Sequence, residues 1–564
     1  MHDLLFKDAL IFDGTGSPPA IGDLAVANGR ISAIAPRLDV SARDVIAAEG
    51  LALMPGIIDS HTHFDAQITW DPNVRPSPAL GVTTAVIGNC GFTIAPCKPQ
   101  DRDLTMRNLT QVEGMSLDVL RQGIAWDFET FPQYMAQLAG RGCAVNIAAY
   151  VGHSSVRTYV MGGDASKRTA TDAEIEAMQA IVREAMRAGA VGFASSTSPA
   201  HNGEGGLPMP SRLADDREMR ALVMAMSECG HGVYMLTKGG HTSLPFLESL
   251  AADSGRPVMI AALLHNSTNP KVVFDDLDAI AAANVRGHKL IGQVSCCPLT
   301  MDFTMQSPYP VEGLTSWKPA LGLQGAALKA TLGNPTFRDG LRAELATTTN
   351  FRLFNGEWDK VQVVQTAMPG NARYEQQAIA DIACNEGRDP LDVMLDLAVQ
   401  EDLQTVFTAQ LLNSDEEAVG RMLNHANSIV SLSDAGAHLT FFNDAGFGLH
   451  LMGHWARELG VLPMSEAIRR LTRQPAQVFG MRRRGLLRDG YAADLLLFDP
   501  ATVARGPKRR VFDLPGGAPR LNTDAVGVRG VWVNGRKVAD AGGLIDSPPL
   551  AGKLLTGFSA GNGR

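Results

Sequence analysis

Cysteine is scarce in this chain, with 7 residues spread over 564 positions. An odd number at wide spacing is not typical of the disulfide frameworks that hold small secreted domains together. The first residues, MHDLLFKDALIFDG, also lack a basic segment followed by a long apolar core, which a secretory signal would have. The sequence therefore predicts a reduced, cytoplasmic protein.

Long hydrophobic runs and an excess of positive charge are also lacking. No apolar run reaches the roughly 20 residues that are needed to cross a bilayer. The formal charge is −9 and the pI is near 5.8, whereas nucleic acids and anionic membranes are bound by basic surfaces. Neither is expected as a partner. The one basic cluster, Arg482, Arg483 and Arg484, is interpreted as a solvated helix end.

Apolar residues are abundant, at 45% of the chain, while charged residues make up only 19%. This composition favours a folded α/β enzyme over a disordered or fibrous chain. A chain of this length is expected to form one large domain of about 250 to 400 residues with a smaller accessory unit.

The two ends of the chain share a local pattern. DLAVANGRISAIA (23–35) and GVWVNGRKVAD (530–540) both place Asn-Gly between apolar segments, which is typical of a β-hairpin. We predict that residues 1–54 and 485–545 pair into one small β unit. Residues 546–564 are rich in Gly, Pro and Ser, which predicts a flexible tail.

Between the two ends, short apolar segments alternate with helical patterns, such as residues 172–189, which Thr171 would cap. Eight strands with intervening helices predict a (β/α)8 TIM-like barrel over residues 55–484, and a doubly wound open sheet is the alternative. The predicted strands are 52–60, 82–88, 145–152, 190–196, 232–237, 258–264, 290–295 and 429–433.

The last two predicted strands are separated by about 130 residues, which is too long for a plain loop. The segment contains TMQSPYPVEGLTSWKPALG and a helical pattern at 389–400. We therefore expect an insertion at about 297–428, placed at the mouth of the barrel.

His61 and His63 follow the first predicted strand in the segment PGIIDSHTHFD. Residues at i and i+2 of an extended chain project from the same face, and this spacing suits two ligands of one ion. Active sites of (β/α)8 barrels lie at the carboxyl ends of the strands. Other groups that can bind metal or move protons follow later strands: Cys90, His153, Lys238, His265 and Asp434.

Several motifs together give the chain a family resemblance: PGIIDSHTHFD, GVTTAVIGNCG, GAVGF, SDAG and RGLLRDGYAADLLLFDP. With these motifs it resembles the amidohydrolase superfamily, and within it the N-acyl-D-amino-acid deacylase (D-aminoacylase) branch. The resemblance implies a barrel that holds one or two divalent metals, usually zinc. It also implies a small β-sandwich built from both termini.

The resemblance further implies a role for individual residues. His61 and His63 match the ligand pair of the first strand, and His265 matches the histidine ligand of strand six. Cys90 in GNCG matches the cysteine that takes the metal-bridging role. Asp434 matches the aspartate of strand eight, which binds metal and serves as the general base.

Strand five departs from the family pattern, which has a histidine there. VYMLTKGGHT provides Lys238 instead, with His241 three residues further on as a reserve candidate. A protonated lysine repels a cation, so a ligand role for Lys238 requires deprotonation or carboxylation.

Four other polar residues are candidates for lining the substrate pocket: His153, Arg157, His201 and His438. Each of them could equally have a structural role. The D-aminoacylases that the chain resembles hold the substrate carboxylate with a lysine after the strand-six histidine and a Pro-Arg stretch after the strand-eight aspartate. Here HNSTNP and SDAGAHLTFFNDAGFGLHLMGHW provide no obvious cation.

These observations predict that metal-activated water cleaves the C–N amide bond of an N-acyl amino acid or related N-acyl compound, with Asp434 as general base. Two alternatives stay open. The same site could act on an ester, a lactone or a cyclic amide, or the barrel could have lost catalysis and kept a binding role. The expected partner is a small-molecule substrate, and a homo-oligomer stays open.

Overall fold

The computed structural model describes residues 1–347 and 352–559. It divides into two compact units. The first contains Met1–Leu263, Asp276–Cys296 and Met422–Arg564, and the second contains Leu264–Asp275 and Cys297–Arg421. Within the described residues, no helix is long and apolar enough to cross a membrane.

The first unit is built around eight parallel strands, numbered here with all strands of the chain in chain order. Their residues are almost all buried and rich in Val, Ile and Ala, as is typical of a parallel sheet covered on both faces. The strands are β6 (Ile57–Asp59), β7 (Val82–Ile87), β8 (Asn146–Gly152), β9 (Gly192–Ser196), β10 (Val233–Thr237), β11 (Val258–Leu263), β12 (Leu290–Val294) and β16 (Ser428–Val430).

The order of these strands follows the chain, from β6 to β12 and then β16. A parallel bridge joins Thr62 to Ala435 beyond the two edge strands, and the His63 amide donates to the Ala435 carbonyl at 2.7 Å. The sheet therefore curls into a TIM-like barrel. A doubly wound sheet would require a reversal of strand order, and these strands show none.

Helices follow most of the barrel strands. The predicted helix at 172–189 is α5, and Thr171 accepts a hydrogen bond from the Glu174 amide in a capping box. The helices are α1 (Arg102–Val112), α2 (Leu117–Gly123), α3 (Phe131–Arg141), α4 (His153–Met161), α5 (Asp172–Arg187), α6 (Asp216–Ser227), α7 (Leu244–Ser254), α8 (Val272–Val285), α9 (Tyr309–Glu312), α10 (Gly325–Leu332), α11 (Pro335–Leu345), α12 (Ile379–Glu386), α13 (Pro390–Gln400), α14 (Glu416–Asn424), α15 (Phe447–His450), α16 (Met464–Leu471) and α17 (Arg473–Val478).

Strands from both ends of the chain form a second sheet of nine strands in the first unit. The strands β5 and β17 join the two ends, with Met54 opposite Leu496. Phe6 and Trp532 pack edge to face in its core. The strands are β1 (His2–Ile11), β2 (Ala20–Ala27), β3 (Arg30–Ala35), β4 (Ala42–Ala47), β5 (Ala52–Pro55), β17 (Leu495–Phe498), β20 (Val528–Val533), β21 (Arg536–Asp540) and β22 (Gly543–Leu544).

Two long strands, β18 (Ala504–Leu514) and β19 (Ala518–Val526), form a separate antiparallel ribbon. The second unit contains the antiparallel strands β13 (Leu299–Phe303), β14 (Val361–Gln365) and β15 (Val406–Leu412). In that unit, Trp317 packs on Phe337, and the buried Glu401 accepts hydrogen bonds from two backbone amides, those of Ala367 and Met368.

The C-terminal segment differs from the flexible tail predicted for 546–564. The amides of Gly552 and Leu555 donate to the carbonyls of Cys143 and Ile147, and Phe558 is buried. The segment packs on the barrel because burial of its apolar side chains is favourable. Residues 560–564 lie outside the described part of the chain.

The basic cluster also differs from its prediction. Arg482 and Arg483 lie in a turn after α17 has ended and are exposed. The side chain of Arg484 is only 8% exposed and forms an ion pair with the buried Asp494. A buried carboxylate needs a cationic partner, and this explains why one arginine of the three leaves the solvent.

Candidate metal centre

His61 and His63 lie directly after β6, at the carboxyl end of the barrel strands. The Nδ1 atom of His61 is 2.8 Å from Oε1 of Gln293 on β12. Because an amide oxygen only accepts hydrogen bonds, Nδ1 carries the proton and Nε2 presents its lone pair. The Nδ1 atom of His63 faces Oε1 of Glu113 at 3.3 Å. Each ring is thus held from behind, as metal-binding histidines usually are.

Cys90 lies in the turn that follows β7. Its backbone has a φ of 57°, in the left-handed region, and this turns the thiol toward the two histidines. Its Sγ atom is 3.5 Å from Nε2 of His61 and 3.9 Å from Nε2 of His63. Sγ also lies 3.1 Å from the Thr237 hydroxyl at the end of β10. His61, His63 and Cys90 each offer one atom that could bind a metal, and these three atoms all lie within 4.8 Å of one another.

Asp434 brings a carboxylate to the same atoms from beyond β16. Its Oδ1 atom is 3.2 Å from Nε2 of His61 and 3.6 Å from Nε2 of His63. Asp434 also has a left-handed backbone, with a φ of 46°. A non-glycine residue in this region is uncommon, and such residues concentrate at functional sites.

The electrostatics of this cluster favour a cation at its centre. Burial alone would raise the pKa of the Cys90 thiol, but His61 and His63 lower it to about 7. The same two histidines outweigh burial at Asp434 and lower its pKa. Burial would lower the pKa of His63, but the acidic neighbours Glu113, Asp434 and Cys90 raise it. The positive charge that these acidic groups attract can be a proton or a metal ion.

The four donors fit zinc. Imidazole nitrogen, thiolate sulfur and carboxylate oxygen are the ligands that zinc prefers, and buried histidines with acceptors behind them are pre-oriented for it. The structure brings together His61, His63, Cys90 and Asp434 of the predicted site.

Lys238 and His265 are placed differently. The Nζ atom of Lys238, after β10, forms an ion pair with Asp276 at 3.2 Å. His241, the reserve candidate, is exposed. His265 belongs to the second unit, where its amide donates to Oδ1 of Asn413 at 3.0 Å. Burial lowers the pKa of His265, which favours the neutral ring that a metal requires.

His153 and Arg157 are fully buried and bind the same carboxylate. Nε2 of His153 is 2.9 Å from Oε1 of Glu218, and Arg157 forms an ion pair with the other oxygen. Nδ1 of His153 is 2.8 Å from the Ser195 hydroxyl. With no exposed surface on either side chain, the predicted role in substrate binding has no support in this geometry. Their burial indicates a structural cluster.

His201 and His438 lie beside the metal ligands and are half-buried. His201 pairs through Nδ1 with the Ser196 hydroxyl at 2.6 Å, and its ring packs against Phe92. Burial lowers the pKa of His201 to about 3, with His438 and His63 adding to the effect. Burial also lowers the pKa of His438. Both rings are therefore neutral groups that can hydrogen-bond a substrate.

Three residues that contact the candidate ligands were not predicted from the sequence: Gln293 beside His61, Glu113 beside His63 and Thr237 beside Cys90. Gln293 offered a signal, since it is a polar residue inside an apolar strand segment, LIGQV. Glu113 follows α1 and Thr237 ends β10, and neither has a sequence pattern that sets it apart from other polar residues.

Comparison with known proteins identifies the family. Residues 44–539 match the amidohydrolase family. The chain is 29% identical over 551 residues to the N-acyl-D-aspartate deacylase of Alcaligenes xylosoxydans xylosoxydans, covering 95% of this chain and 92% of that protein. It is 28% identical over 542 residues to the D-aminoacylase of the same organism, covering 95% and 94%.

Solved structures support the same fold. A crystal structure of D-aminoacylase, described as defining a novel subset of amidohydrolases, has a TM-score of 0.66 at 24% identity, with 99% of this chain and 100% of that one covered. The N-acyl-D-glutamate deacylase from Bordetella bronchiseptica, complexed with zinc and a phosphonate inhibitor, has a TM-score of 0.65 at 23% identity, with the same coverage. The relatives are named deacylases and aminoacylases, which are amidohydrolases that act on C–N bonds other than peptide bonds. The predicted family and enzyme class are confirmed by the match over most of the sequence: this chain belongs to the amidohydrolase family.

Proposed function

We propose that this chain is a metal-dependent hydrolase that cleaves the amide bond of an N-acyl amino acid or a related N-acyl compound. One observation carries the proposal. Nε2 of His61 and Nε2 of His63 each lie within 3.9 Å of both the Cys90 thiol and the Asp434 carboxylate. The relatives named N-acyl-D-aspartate deacylase and D-aminoacylase support the type of substrate.

One or two divalent ions, most favourably zinc, would be held by His61, His63, Cys90 and Asp434. Such an ion, when bound, lowers the pKa of water toward neutrality and polarises an acyl carbonyl. The Cys90 thiol would be one of the ligands, because its pKa of about 7 makes the thiolate accessible at neutral pH.

Lys238 and His265 stay proposed as further ligands. Lys238 would have to exchange its contact with Asp276 for the metal and either lose its proton or become carboxylated. His265 would act as the neutral ring that its lowered pKa favours.

Asp434 is proposed to move the protons of the reaction. Its lowered pKa keeps it ionised, so its carboxylate can accept the proton of the attacking water. The same carboxylate can then deliver that proton to the leaving nitrogen, which must be protonated before the C–N bond breaks. His201 and His438, both neutral, are proposed to hydrogen-bond the substrate beside it.

We also propose the domain organisation that the sequence predicts. Residues 1–54 and 485–545 would form a small β-sandwich, supported by the nine-stranded sheet and its single apolar core. The barrel would span 55–484, with an insertion at about 297–428 that the separate second unit supports. A cytoplasmic location is proposed because the chain has few cysteines, an odd number at wide spacing, which is not typical of secreted proteins held together by disulfides.

Metal removal combined with a substrate panel tests the function. Protein purified without chelator is analysed for metal, then depleted and reloaded with zinc. The panel contains N-acetyl-D-amino acids, N-acetyl-L-amino acids, neutral amides, esters, lactones and hydantoin-like rings. We expect zinc in the purified protein, loss of amide hydrolysis on depletion and recovery on reloading. Metal content near zero, or hydrolysis that survives depletion, would contradict the proposal, and a preference for esters, lactones or rings would contradict the amide assignment.

A further inference from the structure

The two Asn-Gly-Arg turns of the nine-stranded sheet meet at one cavity. Residues 28–30 and 534–536 carry the same three residues, and the asparagine and glycine of both turns have positive φ. The turns touch so closely that a Cβ on Gly29 would lie 2.7 Å from the Asn534 carbonyl. Only glycine permits this approach. The cavity beside the turns has a volume of about 1200 Å³.

Positive charge dominates the lining of this cavity. Its two carboxylates, Asp3 and Asp44, both face Arg43, at 3.8 and 3.1 Å. Eight cations line the cavity, and two of them, Arg43 and Arg484, form ion pairs with carboxylates. The other six form no ion pair with a carboxylate in the described part of the chain: Arg30, Arg482, Arg483, Arg536, Lys537 and Lys553.

Partly buried polar contacts hold these segments in place. Arg484 pairs with Asp494, and its Nη2 donates to Oδ1 of Asn534 at 3.1 Å. The side-chain amide of Asn534 donates to Oδ1 of Asn146 at 2.8 Å, and the amide of Lys553 donates to the same oxygen at 3.0 Å. Hydrogen bonds of Asn534 and Asn146 therefore connect three segments that line the cavity: the turn of 534–536, the arginines after α17 and the C-terminal segment.

This cavity is separate from the metal centre. Asn146 is the first residue of β8, at the amino end of the barrel strands, whereas His61, His63, Cys90 and Asp434 all follow the carboxyl ends. A ligand in the cavity would not meet the reacting groups.

We propose that this cavity binds a small polyanion that carries two or more phosphate groups. The whole chain has a formal charge of −9, so six unpaired cations at one concave site are a local feature and not the general character of the surface. Guanidinium groups bind phosphate oxygens in pairs, and four of the six cations are arginines. The volume exceeds what a single phosphate needs, since cavities of about 300 to 1,000 Å³ hold drug-sized ligands.

Calorimetric titration of the full-length, zinc-loaded protein tests the proposal. The probes are inorganic tripolyphosphate, adenosine triphosphate, orthophosphate and a single-stranded DNA oligonucleotide, at about 50 mM salt, where screening is weak. We expect one tripolyphosphate or adenosine triphosphate per chain, bound at least about tenfold more tightly than orthophosphate. The stronger of these two probes distinguishes a polyphosphate ligand from a nucleotide. Absence of binding by both, or stronger binding of DNA, would overturn the proposal.

Charge reversal locates the site. Arg482→Glu and Arg536→Glu are expected to weaken tripolyphosphate binding by about tenfold or more each. Arg488→Glu is the matched control, because Arg488 is exposed on the same connection but does not line the cavity. All three variants should retain amide hydrolysis and unfold at the temperature of the unchanged protein, within about 2 °C. Binding that is equally strong in all three would overturn the assignment to this cavity.

Discussion

Two clusters of histidine and carboxylate side chains lie near strand ends of the same barrel, and they are built in opposite ways. In the metal centre, Nε2 of His61 and of His63 point at a shared space, and Asp434 is partly exposed. In the second cluster, both ring nitrogens of His153 are paired, and Glu218 is shared with Arg157 inside the protein. Similar residues thus turn their ring nitrogens toward a shared space in the candidate metal centre, whereas in the second cluster both ring nitrogens of the histidine are already paired.

The largest effect is expected when the carboxylate of the candidate metal centre is removed. Asp434→Asn should lower kcat by about 10³-fold or more, because the amide cannot accept the proton of the attacking water. Activity and metal content are measured on the same preparation. Asp434→Glu serves as the conservative control and should retain more activity. Full activity of Asp434→Asn with its metal still bound would show that the two clusters do not differ as described.

The next effect concerns the buried cluster. Arg157→Met should lower the free energy of unfolding by about 3 kcal/mol, because it leaves the Glu218 charge uncompensated in the interior. The bound metal of the folded protein should not change. Chemical denaturation and metal analysis measure the two quantities. Loss of metal with unchanged stability would instead place Arg157 in the binding site.

A smaller effect is expected behind the ligands. Gln293→Met removes the acceptor that fixes the His61 ring and should weaken metal affinity by about 10- to 100-fold. Competition with a chelator measures the affinity. Gln179→Met is the control, because Gln179 lies on α5 and donates to the Ala221 carbonyl away from the metal centre. Equal affinity in both variants would contradict the orienting role of Gln293.

The smallest effect is a dependence of stability on pH. Burial would raise the pKa of Glu218, but His153 and Arg157 outweigh it and lower the pKa. A depressed pKa in the folded state gives stability that is present above the unfolded value of about 4.3 and is lost as the pH falls through the folded value. The difference in unfolding free energy between the unchanged protein and Glu218→Gln should therefore shrink on acidification. A difference that is constant between about pH 7 and pH 3 would contradict this.

The barrel could be predicted closely from the sequence. Each of the eight predicted strands overlaps an observed one, because buried parallel strands appear as short continuous apolar runs between helical patterns. The first differs in detail, since residues 52–60 divide into β5 of the terminal sheet and β6 of the barrel. The packed C-terminal segment was not predictable, because its composition resembles that of a loop and its partners, such as Cys143, are distant in the chain.

The metal centre could be predicted only in part. His61, His63, Cys90 and Asp434 stand at strand ends, and the closed barrel brings strand ends together. His153 also follows a strand, and a pocket role was predicted for it on that ground. In the sequence, a histidine at a strand end looks the same whether its partner is a ligand or a buried carboxylate such as Glu218. That carboxylate is 65 residues away along the chain, and no spacing pattern in the sequence indicates that the two residues pair.

The bridge between Thr62 and Ala435 has a consequence for how the protein opens. It lies beside His61, His63 and Asp434, so an ion bound by these residues would tie together segments about 370 residues apart, as a cross-link does. Without the ion, the barrel would then open most easily between its first and last strands. The His63 amide donates a hydrogen bond to the Ala435 carbonyl between these two ends, so its rate of hydrogen exchange would report the opening directly. The residues that are proposed to bind the ion would therefore also keep the barrel closed.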